Sequence, residues 1–362
     1  MNAVTNNVRR SPPAKLPADS AARRPPLSGV PLDELVSLLA PIPAFRVKQI
    51  FLWLRRGAAS FFEMTDIPLA AREELNVRWA LRSTNLAGVK AGDSAQKAQI
   101  LLEDGVIIEA VLLIDGAGRK TACLSTQAGC PVRCVFCKTG GLGFKRSLNS
   151  SEIVEQYYHL KHLSGGEISN IVFMGMGEPL LNLDELRRAV LVLSHGFSLR
   201  RITVSTCGII EGIYELAAGW PAVRLAVSVP SARQQLRNRL MPGCAGHTLE
   251  QLKAALYKYQ AECKHRITLE TVLLGGVNTS EQDAGALAEF AGGLSVMVNL
   301  IPWNPAGGLL FEGQPLSSPG RSEVARFRQF LEARGIKAEL RRRKGTAISG
   351  ACGQLGVLPD GY

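Results

Sequence analysis

The sequence lacks the features that mark membrane and secreted proteins. None of its apolar runs approaches the length of a bilayer-spanning helix. Residues 1–30 contain no hydrophobic stretch before a small-residue cleavage site, so no secretory signal is expected. Acidic residues are also scarce, with 31 Asp and Glu against 42 Lys and Arg and a net charge of +11. These features predict a cytoplasmic protein that does not bind a membrane. The positive charge favours a polyanionic partner, and nucleic acid is the first candidate. The alternative is a basic soluble protein without such a partner.

Histidine is rare as well, and none of the five histidines stands at metal-ligand spacing from a cysteine. The eight cysteines, in a chain without a secretory signal, point to ligand or redox chemistry rather than disulfide staples. Cys130, Cys134 and Cys137 form a Cys-x3-Cys-x2-Cys array after a strand-like run. Three thiolates in one short loop can hold an iron–sulfur cube and leave one iron open, because four cysteines are the usual set. The alternative is zinc, with Cys123 or a histidine as fourth ligand, but this spacing fits a cube better. Three other cysteines show no ligand spacing and are predicted to be structural: Cys207, Cys244 and Cys263.

The pattern before this loop predicts three segments. Residues 1–28, rich in Pro, Ala, Arg and Ser, are expected to form a disordered basic tail. Residues 29–88 show helical periodicity, with Val47, Ile50, Phe51 and Leu54 on one face. Basic residues beside aromatic ones suit this helical accessory domain to RNA, and a solvated basic face is the alternative. Residues 89–122 are expected to form a β-hairpin that leads into the cysteine loop.

From there strands and helices alternate, and residues 116–345 are predicted to form the core. Strands are expected at 170–174, 201–205, 224–229, 266–274, 296–301 and 337–340, with helices at 151–163, 183–193, 249–259, 281–291 and 321–333. Repeated βα units indicate a parallel sheet that is closed or partly closed into a barrel, whose active site lies at the C-terminal strand ends. Polar residues gather at those ends together with the cysteine loop and the Gly-Glu-Pro turn: Ser205, Ser228 and Asn304.

The cysteine loop after the first barrel strand resembles the radical S-adenosylmethionine (SAM) superfamily. Six stretches narrow the resemblance to the RlmN/Cfr family of radical-SAM RNA methyltransferases: residues 62–67, 123–137, 174–182, 201–206, 301–305 and 351–355. The resemblance implies an α/β fold, a partial parallel (β/α) barrel of the radical-SAM type with a small N-terminal helical accessory domain. It also implies one [4Fe–4S] cluster per chain, held by Cys130, Cys134 and Cys137, and SAM bound by Gly177, Glu178, Ser205, Ser228 and Asn304.

The resemblance also assigns catalytic roles. Cys352, in the C-terminal segment 346–362, matches the residue that first receives the methyl group. Cys123 matches the cysteine that resolves the intermediate through a transient disulfide with Cys352, and Glu109 matches the proton acceptor. The implied function is methylation of an adenine ring carbon, carbon 2 of an adenosine in 23S rRNA and/or tRNA. The implied partners are that RNA and an electron donor such as flavodoxin or ferredoxin, and a monomer is expected.

Some positions depart from the family pattern, and they leave alternatives open. Ser228-Val229-Pro230 stands where the family usually has Ser-Leu-His, and Cys207 stands where it often has serine. Residues 306–308, Ala-Gly-Gly, lack a longer side chain. Methylation at carbon 8 or of a different RNA therefore stays possible, as does a cluster-containing RNA-binding or electron-transfer protein that has lost catalysis. The basic run 341–344 is expected to clamp RNA phosphates, with a solvated charge run as the alternative.

Overall fold

The computed structural model describes residues 24–341 and 344–356, so most of the predicted tail lies outside the described residues. Helices occupy Leu32–Leu38 (α1), Ala44–Arg56 (α2), Leu69–Arg78 (α3), Lys138–Gly141 (α4), Ser150–Ser164 (α5), Leu183–Ser194 (α6), Ile210–Ala217 (α7), Gln234–Leu240 (α8), Leu249–Cys263 (α9), Glu281–Ala291 (α10) and Arg321–Glu332 (α11). Strands occupy Asn85–Gly92 (β1), Ala95–Leu101 (β2), Ile107–Ile114 (β3), Lys120–Cys123 (β4), Gln127–Gly129 (β5), Phe144–Ser147 (β6), Asn170–Phe173 (β7), Ile202–Thr206 (β8), Arg224–Ser228 (β9), Ile267–Leu273 (β10), Val296–Pro302 (β11), Leu310–Phe311 (β12), Gln314–Pro315 (β13) and Ala338–Leu340 (β14). Within this part of the chain, no helix is both long enough and apolar enough to cross a bilayer.

The N-terminal helical module packs as its periodicity predicts. On α2, Val47, Ile50, Phe51 and Leu54 are all buried. The helix ends at Gly57, which adopts a left-handed conformation (φ 92°) that glycine accepts at little cost.

A ten-stranded sheet forms the rest of the scaffold. Its strand order is β1-β2-β3-β4-β7-β8-β9-β10-β11-β14. The pairs from β1 to β4 are antiparallel, and those from β4 through β7 to β14 are parallel. This arrangement confirms the predicted fold class, a partial parallel (β/α) barrel. The domain boundaries themselves stay predictions.

Side-chain alternation separates the two faces of the parallel strands. Ile171 and Phe173 on β7 and Val204 on β8 are fully buried on one face. On the other face, Cys123 pairs with Val172, and Val172 pairs with Thr203. This second face carries the cysteine and the polar side chains, and it lines the interior of the partial barrel.

Candidate active site

The three cluster cysteines lie in the loop between β5 and α4, at the C-terminal end of the parallel strands. The loop turns sharply at Gly129 (φ 82°), where an added Cβ would lie 1.9 Å from the Gly143 carbonyl oxygen. It turns again at Arg133, which also has a positive φ of 55°. Cys130, Cys134 and Cys137 all line one cavity of about 170 Å³. The loop geometry therefore presents three thiols to a shared space.

The environment of these thiols suits cationic iron. Burial raises the pKa of Cys130 to about 12 and also raises the pKa values of Cys134 and Cys137. Thiolates in such a place need a bound cation to offset the loss of hydration. Among the described residues, no three His, Cys, Asp or Glu side chains converge on one metal ion. In a cube each cysteine would bind its own iron, so the three thiols need not meet at one metal ion.

The turn after β7 forms a second wall of the same cavity. Gly177 (φ 100°) lies so close to Gln127 that an added Cβ would approach its Cβ to 2.5 Å. The buried carboxylate of Glu178 accepts hydrogen bonds from the backbone N–H groups of Leu180 (3.0 Å) and Cys207 (2.7 Å). Burial raises the pKa of Glu178, and the N–H of Cys207 opposes that rise. The turn is therefore rigid and brings backbone close to the cavity.

Asn304 supplies a buried acceptor. Its Nδ2 donates to the carbonyl oxygen of Cys352 (3.2 Å), whereas its Oδ1 has no hydrogen-bond partner among the residues that the structure describes. Leaving a buried acceptor unpaired costs about 1–3 kcal/mol, and a ligand hydroxyl or ammonium would satisfy it. All five predicted SAM-contacting residues line this cavity: Gly177, Glu178, Ser205, Ser228 and Asn304. The residues present therefore fit a cluster with SAM beside it.

A larger cavity of about 750 Å³ adjoins the first inside the barrel. Cys352 lines both cavities and Cys123 lines the larger one. Burial raises the pKa of Cys123 to about 12; the nearby Cys352 adds to the rise, and Arg341 opposes it. The two cysteines to which the family resemblance assigns one reaction thus lie close together, with Cys352 at the junction of the cavities.

The segment that carries Cys352 is docked on the cluster loop. The carbonyl oxygen of Gly353 accepts a hydrogen bond from the backbone N–H of Lys138 (2.8 Å). Thr139 Oγ1 donates to the carbonyl oxygen of Leu355 (2.7 Å). These contacts join the C-terminal segment to α4, directly after the third cluster cysteine.

Glu109 occupies a different environment. Its strand places it on the same face as Val111, which pairs with Cys123. The buried carboxylate forms an ion pair with Lys97 (2.8 Å) and accepts a hydrogen bond from the backbone N–H of Gly356 (2.7 Å). Among the described residues, neither cavity lining includes Glu109. The C-terminal segment therefore covers the predicted proton acceptor.

Comparison with known proteins supports the family resemblance that the sequence motifs predict. Residues 124–289 match the model of the Radical SAM superfamily. Two probable dual-specificity RNA methyltransferases RlmN are similar along nearly their whole length. The one from Treponema pallidum is 45% identical over 91% of this chain and 97% of its own, and the one from Thermus thermophilus is 40% identical over 90% and 93%. The chain belongs to the RlmN family of radical SAM methyltransferases. A radical SAM methyltransferase from Sphaerobacter thermophilus has the same fold, with a TM-score of 0.86 and 38% identity over 91% of this chain and 99% of its own.

RlmN-family membership makes this protein a SAM-dependent methyltransferase, and SAM and a [4Fe–4S] cluster are the cofactors that the radical SAM family implies.

In this RlmN-family site, the structure gives Arg341 a position that differs from the one predicted from the sequence. Arg341 was grouped with a run expected to clamp RNA, but it lines both cavities and forms an ion pair with Glu270 (3.4 Å). The nearby Cys352 raises the pKa of Arg341. Arg342 and Arg343 lie outside the described residues, and Lys344 lines the larger cavity. The place of Arg341 in the sequence could have predicted this position, because this residue directly follows β14 and the active site of such a barrel lies at the C-terminal strand ends.

Proposed function

We propose that the protein methylates an adenine ring carbon in RNA, carbon 2 of an adenosine in 23S rRNA and/or tRNA, with the methyl group carried on Cys352. The observation that supports this most is the position of Cys352. It lies between a cavity that fits SAM and a cluster and a larger cavity lined by Cys123. A group carried on its sulfur therefore has access to both spaces.

The cofactors supply chemistry that side chains lack. An adenine ring carbon is not nucleophilic, so it cannot attack the methyl group of SAM directly. Cys130, Cys134 and Cys137 would hold the cluster, and SAM would be contacted by Gly177, Glu178, Ser205, Ser228 and Asn304. When bound and reduced, the two cofactors would supply the radical chemistry that removes a hydrogen atom from a methyl group.

The protein's own residues perform the remaining steps. The thiolate of Cys352 accepts the methyl group, and the resulting S-bound carbon later bonds to the adenine. The ring adduct then loses one electron, which the cluster, when bound, would take back, and one proton, which Glu109 takes. Cys123 attacks the sulfur of Cys352 to form a disulfide, and the released carbon takes up a proton to complete the methyl group. To reach the ring proton, the carboxylate of Glu109 must lose its hydrogen bond from the N–H of Gly356. We therefore expect the C-terminal segment to shift when RNA binds.

Several basic side chains support an RNA substrate. Exposed arginines lie around the larger cavity: Arg119, Arg200, Arg201 and Arg224. In the helical module, the guanidinium of Arg56 lies 5.5 Å from the ring centroid of Trp53. Such pairs bind phosphates and stack on bases. We expect the protein to work as a monomer in the cytoplasm, with flavodoxin or ferredoxin as its electron donor.

Mass spectrometry of nucleosides tests this proposal. RNA from cells that lack the protein should regain 2-methyladenosine when wild-type protein is supplied, and should not when Cys352→Ala is supplied. Cys263→Ser, at the end of α9, is the matched control and should restore the modification. A methyl group on carbon 8 would favour the Cfr-like alternative. Unchanged RNA, together with no SAM cleavage by the reduced cluster-loaded protein, would instead indicate an RNA-binding or electron-transfer protein.

A further inference from the structure

Two cysteines without a role in the proposed reaction lie together at the wall of the cluster cavity, which Cys207 lines. The sulfur atoms of Cys207 and Cys244 are 2.7 Å apart, and both side chains are buried. Unbonded sulfur atoms do not pack so closely, and a disulfide bond of about 2.05 Å needs only a small movement. Their sequence spacing predicted separate structural cysteines, whereas the fold makes them a pair.

A buried arginine holds the two backbones at this separation. The guanidinium of Arg237, which is fully buried, donates to the carbonyl oxygens of Cys207 (3.0 Å) and Cys244 (3.3 Å). Gly208 follows Cys207, and an added Cβ there would approach Arg237 Nη2 to 3.2 Å. One planar group therefore fixes the geometry of both cysteines.

The pair connects two walls of the cluster cavity. The backbone N–H of Cys207 donates to Glu178, in the turn that faces SAM. The segment before Cys244 supports the cluster loop. Its Leu240 carbonyl oxygen accepts from the N–H of Val135 (3.0 Å), and its Gly243 N–H donates to the carbonyl oxygen of Val132 (2.9 Å). A bond between the two sulfurs would therefore tie the SAM-facing turn to the support of the cluster loop.

We propose that Cys207 and Cys244 form a reversible disulfide, a modification site separate from the proposed Cys123–Cys352 couple. The oxidant is a disulfide-class compound such as oxidised glutathione. One cysteine thiolate attacks it and releases one glutathione; the second thiolate then attacks the mixed disulfide and releases the other. The two protein thiols become one S–S bond, and the two electrons and two protons appear as two glutathione thiols.

Mapping of disulfides in the full-length, cluster-loaded protein tests this proposal. The protein is equilibrated without oxygen in a buffer of oxidised glutathione, denatured with N-ethylmaleimide, digested without reductant and analysed by mass spectrometry. We expect a linked peptide that joins Cys207 to Cys244 and disappears after dithiothreitol treatment. Cys244→Ser should lose it, and Cys263→Ser should keep it.

Thermal unfolding supplies the second measurement. The bond closes a loop between positions 37 residues apart, so the oxidised protein should melt on the order of 5 °C higher than the reduced protein. Cys244→Ser should show no such difference. Recovery of both cysteines as alkylated thiols, their linkage to other cysteines, or an unchanged melting temperature would overturn the proposal. Neither readout needs SAM or RNA, so this outcome is independent of the methyltransferase reaction.

Discussion

At the scale of single residues, Arg341 connects the two thiols that the proposed reaction joins. It lines both cavities, and its positive charge opposes the burial that raises the pKa of Cys123. A cation beside a thiol stabilises the thiolate, which is the nucleophilic form. Arg341 therefore favours the attack of Cys123 on Cys352.

Replacing Arg341 with glutamine should slow the reactions of Cys123. Without the guanidinium the pKa of Cys123 rises further, so less thiolate exists at a given pH and the pH–rate profile moves to higher pH. We expect alkylation of Cys123 by iodoacetamide at pH 8 to be slower than in wild type, because a smaller fraction of this thiol is then ionised. Arg341→Lys keeps the charge and should stay near wild type. Equal rates for wild type and Arg341→Gln, read from the Cys123 peptide, would contradict this role.

At the scale of elements, α5 joins the helical module to the sheet. The buried carboxylate of Glu155 accepts hydrogen bonds from Ser28 Oγ (2.6 Å) and from the backbone N–H groups of Ser83 (2.9 Å) and Thr84 (2.7 Å). One turn further, His159 Nε2 lies 2.9 Å from Thr84 Oγ1. A single helix thus holds the chain at the end of the helical module and at the entry to β1.

The stability of this joint should depend on pH through His159. Burial lowers the pKa of His159 from 6.5 to about 4. Between those pH values the unfolded chain binds the proton and the folded chain does not, so the free energy of unfolding falls as the pH falls. His159→Gln should make the fall of the melting temperature from pH 6.5 to pH 4 less steep than in wild type.

The comparison with wild type is needed because Glu155 changes the free energy of unfolding in the opposite direction as the pH falls. Burial raises its pKa, so its protonation favours the folded state as the pH falls. His265→Gln, in the loop between α9 and β10, is the matched control and should keep the wild-type slope. An identical slope in His159→Gln would contradict the assignment.

Most elements with strong periodicity could be predicted from the sequence, and the exceptions have local causes. Helix α10 has the predicted bounds, and α6 and α11 differ by one residue at an end. Helices α7 and α8 were missed because they are short, and α7 buries apolar residues over most of its length. Strand β1 was missed because most of its residues are exposed, so no alternation marks it.

At the scale of the whole molecule, the candidate site is assembled from distant parts of the chain. The cluster loop could be predicted from spacing, because its three cysteines are adjacent in sequence. The meeting of Cys123 and Cys352 came only from family resemblance, since it depends on the docking of the C-terminal segment on α4. The ion pair of Lys97 with Glu109 had no local signal, because the two residues meet across the antiparallel pair of β2 and β3.

In the proposed reaction Cys352 carries the reacting carbon and Cys123 releases the product. The most direct test is the state of Cys352 in protein purified from cells that express Cys123→Ala. Without the resolving thiol, RNA should stay covalently bound to Cys352. After nuclease and protease digestion, the peptide that contains Cys352 should carry a nucleotide mass joined through one carbon. Wild type and the Cys123→Ala, Cys352→Ala double variant should lack this adduct. An unmodified Cys352 peptide in Cys123→Ala, together with full methylation of the RNA, would contradict the account.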